Sequence, residues 1–240
     1  NVSTTDDAGA TAATAATVAA AAAAAAAVTA AATQVSTAAP IPATYAVQAF
    51  TLTTGIDSFT GGIGDDTFTS VVSATLSGLD NLDGGAGAGD TLTISDTVAI
   101  AIPASATVQN IETANLTSSA AVTGSVSGWT GLTTMNVGAS TGAGNMTAAA
   151  TTDVNFINTA GAVTVTGGKD VAVVTTAGTV TVLTAAGDVT ATTTLASVNV
   201  TTTGGDVTTT NTGAGVDVTG TGAITATTSA VGANNIDVDG

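Results

Sequence analysis

The chain has 240 residues, of which 17 are acidic and one, Lys169, is basic, so its formal net charge is −16. Nucleic acid needs Lys and Arg to replace its counterions, so it is excluded as a partner, and an anionic membrane is disfavoured for the same reason. Aromatic residues make up 2% and charged residues 8% of the chain, whereas an ordinary domain has about 25% charged residues. A core of small and β-branched side chains favours an all-β fold.

Residues 1–42 form an alanine-rich segment with an unbroken alanine run at 19–27. Alanine has the highest helix propensity, so the segment is expected to be a helix over about 10–33 or, alternatively, a flexible linker. Its apolar residues are too small to predict a membrane-spanning helix, and we expect no membrane insertion. No signal-peptide pattern is present, and the repeat pattern runs to the last residues, which indicates a piece of a longer protein.

Residues 43–100 contain two blocks of the same design, the first from Gly55 to Thr69 and the second from Gly78 to Thr93. In each block a Gly-x-Asp-x-apolar unit precedes a Gly-Gly-x-Gly unit that ends in Asp-Thr-apolar. Residues 61–69 fit the calcium nonapeptide G-G-x-G-x-D-x-U-x at every fixed position. Glycines permit positive φ and bring carbonyl oxygens together, as calcium requires with its six to eight oxygen ligands. The pattern also predicts that Phe68 points inward.

We expect calcium to be bound by residues of both blocks, with a plain Gly/Asp turn as the alternative. The candidate ligands of the first block are Asp57, Gly61, Gly62, Gly64, Asp65 and Asp66. Those of the second block are Asp80, Asp83, Gly85, Gly87 and Asp90. One extra residue precedes Asp90, which predicts that this carboxylate lies out of strict register. Glu112 is interpreted as an exposed strand residue, and a metal ligand or an inter-subunit contact is the alternative.

Residues 101–240 form a Thr/Val/Gly-rich section in which Val-Thr-Val-Thr segments recur, in its second half about every nine residues after a glycine. Inward Val alternating with outward Thr is the period-two pattern of half-buried strands. Regular spacing of short strands favours a parallel β-roll or β-solenoid, with two or three nine-residue units in each coil. An antiparallel sandwich is the competing fold, but the turns between these repeats lack the Asn-Gly and Asp-Gly pairs that tight hairpins favour.

The stretch from Gly61 to Phe68 resembles the calcium-binding repeat of the RTX (repeats-in-toxin) family. The sequence Asn-Ile-Glu-Thr-Ala-Asn-Leu at 110–116 is similar to a phrase common in RTX-type surface-layer proteins of Gram-negative bacteria. The specific motif covers residues 55–93, and the rest of the resemblance is compositional. Membership would imply a calcium-bound β-roll, type I export and calcium-dependent assembly of copies of the chain into a two-dimensional lattice. A cell-surface polysaccharide is a further expected partner.

Catalysis is not expected. The chain has no histidine and no cysteine, so the commonest general base and the thiol nucleophile are missing. Paired carboxylates can cleave glycosides, but the aromatic and basic residues that hold a sugar are nearly absent. We therefore expect a secreted structural protein of a calcium-dependent surface layer at the cell surface. The alternatives are an RTX-type adhesin stalk or a subunit of an extracellular filament or sheath.

Overall fold

The computed structural model describes residues 46–229 and 236–239. The alanine-rich segment, with its two alternatives of helix and linker, lies outside the described residues. Apart from a 3-10 turn at Ser73–Thr75, the regular structure of the described part consists of β-strands. No helix in these ranges is long and apolar enough to cross a bilayer.

The described residues contain twenty-one strands in three sheets, and each sheet takes one strand from successive coils. The ten-stranded front sheet contains β1 (Ala49–Thr51), β3 (Thr67–Ser70), β5 (Thr91–Asp96), β8 (Thr113–Ser118), β10 (Thr134–Ser140), β12 (Asp153–Asn158), β14 (Val171–Thr175), β16 (Val189–Thr193), β18 (Val207–Asn211) and β20 (Ile224–Thr228). The eight-stranded back sheet contains β6 (Ile100–Ala101), β9 (Val122–Ser125), β11 (Gly144–Ala148), β13 (Val163–Gly167), β15 (Val180–Ala185), β17 (Val198–Thr202), β19 (Val216–Thr219) and β21 (Ile236–Asp239). The side sheet contains β2 (Ser58–Thr60), β4 (Asn81–Asp83) and β7 (Thr107–Gln109).

All pairings between these strands are parallel, and strands that neighbour each other in a sheet come from neighbouring coils. The described chain is therefore an all-β parallel solenoid, as the nine-residue repeat predicts. The antiparallel sandwich is excluded, because its hairpins would pair consecutive strands in opposite directions. The sections 43–100 and 101–240 share the front sheet, and their described strands belong to one compact unit.

The cross-section of the solenoid changes along its axis. One coil takes 24 residues between the paired residues Phe68 and Leu92, but only 17 between Val154 and Val171. The long coils pass through the side sheet, whose last trace is a single bridge between Gln109 and Thr130. Beyond it each coil has two strands, and from Val154 to Ile224 the front strands are 17 or 18 residues apart, or about two nine-residue units.

Side-chain size follows this change of shape. One inward column of the front sheet holds the large Phe68, Leu92 and Met135 in three of the wide coils and Ala114 in the fourth. It holds valine in the narrow coils, for example Val171 and Val189, and all these side chains are almost fully buried. A three-sided interior leaves more space to fill at native packing density than a two-sided one, so the wide coils need the larger side chains. The predicted inward position of Phe68 is confirmed.

Many of the threonines connect coils rather than fill the core. Along the corner after the front sheet, one hydroxyl per coil donates to a backbone carbonyl of the preceding coil. The pairs are Ser119 to Thr97, Thr141 to Ser119, Thr159 to Ser140, Thr176 to Thr159, Thr194 to Thr176 and Thr212 to Thr194. Most of these bonds are exposed, and each adds a side-chain contact between one coil and the next.

Candidate metal site

The two Gly-rich turns stack on each other at the corner between the side sheet and the front sheet. Residues 61–66 join β2 to β3, and residues 84–90 join β4 to β5. The amide of Gly61 donates to the carbonyl of Asp83 at 2.8 Å, and the amide of Ala86 donates to the carbonyl of Gly62 at 2.7 Å. These bonds hold the second turn directly against the first.

Glycine is required here because oxygen atoms crowd the places where side chains would begin. A Cβ atom on Gly61 would lie 2.1 Å from the carbonyl oxygen of Gly84 and 2.2 Å from a carboxylate oxygen of Asp66. A Cβ on Gly87 would lie 2.4 Å from the carbonyl oxygen of Gly64 and 2.8 Å from the carboxylate of Asp90. Gly85 also has φ +97°, which side chains disfavour. The Gly-Gly-x-Gly pattern thus gathers carbonyl and carboxylate oxygens at one corner.

Three acids from successive coils form a ladder at this corner. The Asp66 carboxylate accepts hydrogen bonds from the amides of Gln48 at 2.5 Å and Gly62 at 2.6 Å. The Asp90 carboxylate accepts one from the amide of Asp66 at 2.5 Å, and Glu112 accepts one from the amide of Asp90 at 2.8 Å. Each acid therefore stands one coil beyond the last.

The extra residue of the second turn does not displace Asp90. Thr67 pairs with Thr91, and Thr91 pairs with Thr113, so the acids that precede these threonines are in register. The longer turn absorbs the insertion as a wider loop. This differs from the expectation that Asp90 is out of register, since strand pairing rather than turn length sets its position.

The ladder has an uncompensated negative charge in its middle. Asp90 is fully buried, and its second carboxylate oxygen has no hydrogen-bond partner among the described residues. Burial raises the pKa of Asp90 above the usual range of an aspartate, and the carboxylates of Glu112, Asp66 and Asp65 add to this effect. The only basic side chain, Lys169, pairs with two other acids in later coils. A buried carboxylate oxygen without a partner is costly, and a cation could compensate its charge.

Carbonyl and carboxylate oxygens are both present at this corner. No three carboxylates, histidines or cysteines of the described ranges form a group that could hold a metal ion by side chains alone. Calcium also accepts backbone carbonyls. A Cβ atom on Gly87 would be close to both the Gly64 carbonyl and the Asp90 carboxylate, and one on Gly61 to both the Gly84 carbonyl and the Asp66 carboxylate.

Asp57 and Asp80 lie together at a different corner, where the chain enters the side sheet. Asp57 accepts the amide of Thr53 at 2.7 Å and its hydroxyl at 2.9 Å. Asp80 accepts the amide of Asp57 at 3.0 Å, and the amide and the hydroxyl of Ser77 both at 2.7 Å. The carboxylate oxygens of both residues are engaged in turn hydrogen bonds, as is usual for aspartate before a strand.

The carboxylate of Asp83 accepts hydrogen bonds from backbone and side-chain amides. It accepts hydrogen bonds from the side chains of Asn110 and Gln109, both at 2.8 Å, and from the amide of Gly85 at 3.0 Å. The Asn110 side chain is the main cause that lowers the pKa of Asp83. Asn110 has φ +52° and stands in the third coil where the first two have the Gly-Gly turn. The stack of Gly-rich turns therefore ends before this coil.

Asp65 and Glu112 complete the surroundings of Asp90. Asp65 is exposed, at a variable position of the repeat, and accepts a long hydrogen bond of 3.4 Å from the amide of Ala88. Glu112 is half-buried and joins the ladder directly. A sequence signal for Glu112 exists, because Asp66, Asp90 and Glu112 are each followed by threonine and then an inward apolar residue.

A second column of acids runs along the narrow coils, at the start of the front strands. The Asp188 amide donates to the Asp170 carboxylate at 2.9 Å, and the Asp206 amide donates to the Asp188 carboxylate at 2.8 Å. Lys169 contacts Asp170 at 3.0 Å and Asp153 at 3.2 Å, and its hydrogen bond is the main cause that lowers the pKa of Asp170. These four acids are half-buried or exposed, in contrast to Asp90.

Comparisons with known proteins identify no relative of this chain. No protein-family model matches the chain, and no curated protein matches its sequence. The case for function therefore depends on the solenoid and on the corner that contains Asp90.

Proposed function

We propose that the chain is a non-catalytic structural part of a secreted, calcium-dependent surface layer that assembles from copies of itself at the cell surface. One observation carries the proposal. The fully buried Asp90 has a carboxylate oxygen without a hydrogen-bond partner in the described structure, beside Asp66 and Glu112 and between two stacked Gly-rich turns. A cation is the simplest group to compensate that charge, and the surrounding oxygens suit calcium.

Calcium at this corner would be held by Asp90 and Asp66 together with carbonyl oxygens of the turns 61–64 and 84–87. It would supply positive charge between successive coils and so stabilise their stacking. Because it binds the native state and not the unfolded chain, it stabilises the fold by mass action. Extracellular calcium modules bind with dissociation constants of about 10⁻⁴–10⁻³ M, so the proposed setting is the calcium-rich exterior of a cell.

Assembly follows from the same charge argument. Copies with a formal charge of −16 repel each other, and bound cations reduce that repulsion. A solenoid offers long, regular faces on which identical units can pack. Attachment to a cell-surface polysaccharide is the proposed anchor, as the resemblance to surface-layer proteins implies.

The proposal predicts that calcium, and not ionic strength, drives both folding and assembly. In millimolar calcium we expect high β-content by circular dichroism, a raised melting temperature, and large ordered assemblies by light scattering and negative-stain microscopy. Sodium chloride at matched ionic strength should not reproduce these effects, because screening alone treats both salts alike.

Two results would contradict it in different ways. Equal β-content and equal melting temperature in calcium and in EGTA would remove the calcium role. If the chain is a folded monomer in calcium at every accessible protein concentration, the lattice proposal is contradicted and the adhesin-stalk alternative is favoured.

A further inference from the structure

The two Gly-rich turns differ in how they support the carboxylate of their own aspartate. In the first turn, the amide of Gly62 donates to the Asp66 carboxylate at 2.6 Å. In the second turn, the glycine at the same position, Gly85, donates instead to the carboxylate of Asp83 at 3.0 Å. The first coil has a threonine at the position aligned with Asp83, so no carboxylate competes there for the turn amide. This difference accounts for the carboxylate oxygen of the fully buried Asp90 that has no hydrogen-bond partner in the described structure.

The unpartnered oxygen of Asp90, Oδ2, lies beside the third coil. A Cβ atom on Gly84 would be 2.6 Å from this oxygen and 1.8 Å from the carbonyl oxygen of Asn110. Asn110 directly follows β7, as Gly84 directly follows β4, and these two strands are paired in register. A carboxylate oxygen of the second coil and a carbonyl oxygen of the third coil therefore border one point, which stays open because residue 84 is glycine.

Glu112 adds a carboxylate from the same third coil. Its Oε2 accepts the amide of Asp90 at 2.8 Å, so its charge stands beside the residue whose own carboxylate lacks a partner. A carboxylate has two oxygens and about four lone-pair sites, so this hydrogen bond uses only part of its capacity. Only Ile111 separates Glu112 from Asn110, and the third coil thus brings a carboxylate and a carbonyl to the corner without a Gly-rich turn.

This arrangement of acids is unfavourable without a cation. Asp66, Asp90 and Glu112 belong to three successive coils and are linked through backbone amides. The only basic side chain of the chain, Lys169, pairs with two acids of later coils. Like charges repel most strongly where burial removes water from between them. A divalent cation with several oxygen ligands would turn this repulsion into attraction, and calcium accepts carboxylates and backbone carbonyls together.

We propose that the third coil completes the cation site, with the Glu112 carboxylate and the Asn110 carbonyl as ligands beside Asp90. The inference rests on the proposed function, because it concerns the same cation, and it adds two ligands that lie outside the Gly-rich repeats. The cation then joins the last Gly-rich turn to the first coil that lacks such a turn. Residues 110–112 are therefore part of the site, and the two Gly-rich turns do not form it alone.

Glu112→Gln tests the charged ligand of the third coil. Glutamine keeps the length of the side chain and an oxygen that can accept the Asp90 amide, but it removes the negative charge. Calorimetric titration with calcium chloride at constant ionic strength should show binding weaker by about tenfold or more. The matched control is Asp188→Asn, because Asp188 accepts the amide of Asp206, also at 2.8 Å, in the second column of acids. The control should bind calcium as the wild-type chain does.

Chemical unfolding in EGTA distinguishes a metal ligand from a residue that only supports the fold. Without calcium, Glu112→Gln removes a charge that repels Asp90, so this variant should be at least as stable as the wild-type chain. Asp90→Asn relieves the same repulsion, so the two substitutions together should stabilise by less than the sum of their separate effects. A loss of stability in EGTA with Glu112→Gln, without such a loss in Asp188→Asn, overturns the inference, because the Glu112 charge would then stabilise the metal-free fold.

The outcomes separate this inference from the function on which it rests. Absence of calcium binding by the wild-type chain overturns both the calcium role and the third-coil ligands. Calcium binding that Asp90→Asn loses and Glu112→Gln retains overturns only the third-coil ligands. Equal losses in Glu112→Gln and Asp188→Asn also overturn them, because the lower negative charge of the whole chain would then explain the weaker binding. Loss in Glu112→Gln alone, with unchanged or higher stability in EGTA, supports the inference.

Discussion

Acids at the Gly-rich corner differ in how many of their carboxylate oxygens already accept hydrogen bonds. Asp66 uses both carboxylate oxygens for backbone amides, whereas Asp90 uses one and leaves the other buried without a partner. A buried, half-satisfied carboxylate is costly unless a cation completes it. Asp90 is therefore the residue whose substitution reports most directly on calcium.

We predict that Asp90→Asn abolishes the calcium response and stabilises the calcium-free chain. The asparagine oxygen can still accept the amide of Asp66, but the uncompensated charge is gone. In EGTA the free energy of unfolding should rise by about 1–3 kcal/mol, and calorimetry should detect calcium binding at least about tenfold weaker. The control is Asp65→Asn, which removes an exposed charge nearby and should largely keep calcium binding. Equal losses in both variants would contradict the assignment of Asp90.

Asp96 allows a pH prediction outside the candidate metal site. Its carboxylate accepts the amide and hydroxyl of Ser73 at 2.6 and 2.7 Å and the amide of Val98 at 3.1 Å. These bonds, the Ser73 amide first, lower the pKa of Asp96 to about 2, from an unfolded value of about 3.9. A lowered carboxyl pKa contributes stability above the unfolded value and loses it as the pH falls through the folded value.

Asp96→Asn should therefore be less stable than the wild-type chain at neutral pH, and the difference should shrink between about pH 4 and pH 2. Chemical unfolding at constant ionic strength over this range measures it. The pH matters because only the ionised form accepts all three hydrogen bonds. A difference that stays constant from neutral pH down to pH 2 would show that the Asp96 charge has no part in these bonds.

At the scale of single elements, close stacking of turn on turn decides where glycine is needed. Gly205 has φ +74°, and a Cβ there would lie 2.2 Å from the carbonyl carbon of Gly187 in the preceding coil. The same register position in the next coil is Gly222, where a Cβ would lie 1.8 Å from the carbonyl oxygen of Gly205. The turns before the front strands thus pack backbone against backbone.

Gly205→Ala should lower the free energy of unfolding by about 1–3 kcal/mol, because it combines a left-handed backbone with overpacking. Gly128→Ala is the matched control, since a Cβ at that exposed turn has no atom within 4 Å. We expect it to be neutral or to stabilise by about 0.4–1 kcal/mol. Thermal or chemical unfolding in calcium compares the two variants, and equal effects would exclude close stacking as the reason for Gly205.

At the scale of the whole molecule, the solenoid aligns many of its acids in columns along its axis. One acid ladder lies at the Gly-rich corner and another at the start of the narrow front strands. Each coil contacts its neighbours, so stability accumulates along the stack. A cation at the Gly-rich corner therefore stabilises the wide coils first and reaches the narrow coils through nearest-neighbour contacts.

The pattern of the chain predicts much of this arrangement without tertiary information. Alternating Val and Thr with regularly spaced glycines predicts parallel strands, their inward residues and the stacking of coils, because strand geometry has period two and equal steps align in register. The Gly-Gly-x-Gly units predict where oxygens gather. These features depend on residues close together in sequence, so a short segment of the sequence is enough to predict them.

Tertiary structure alone decided which acids meet. Asp57 and Asp66 are nine residues apart and belong to one repeat, yet they lie at different corners because the wide coils have a side sheet. Asp90 is in register despite its longer turn, and Glu112 joins the ladder without a Gly-rich turn of its own. The reason is physical: the number of sides in a coil depends on how large side chains from several coils fill one interior, and a local pattern does not contain that information.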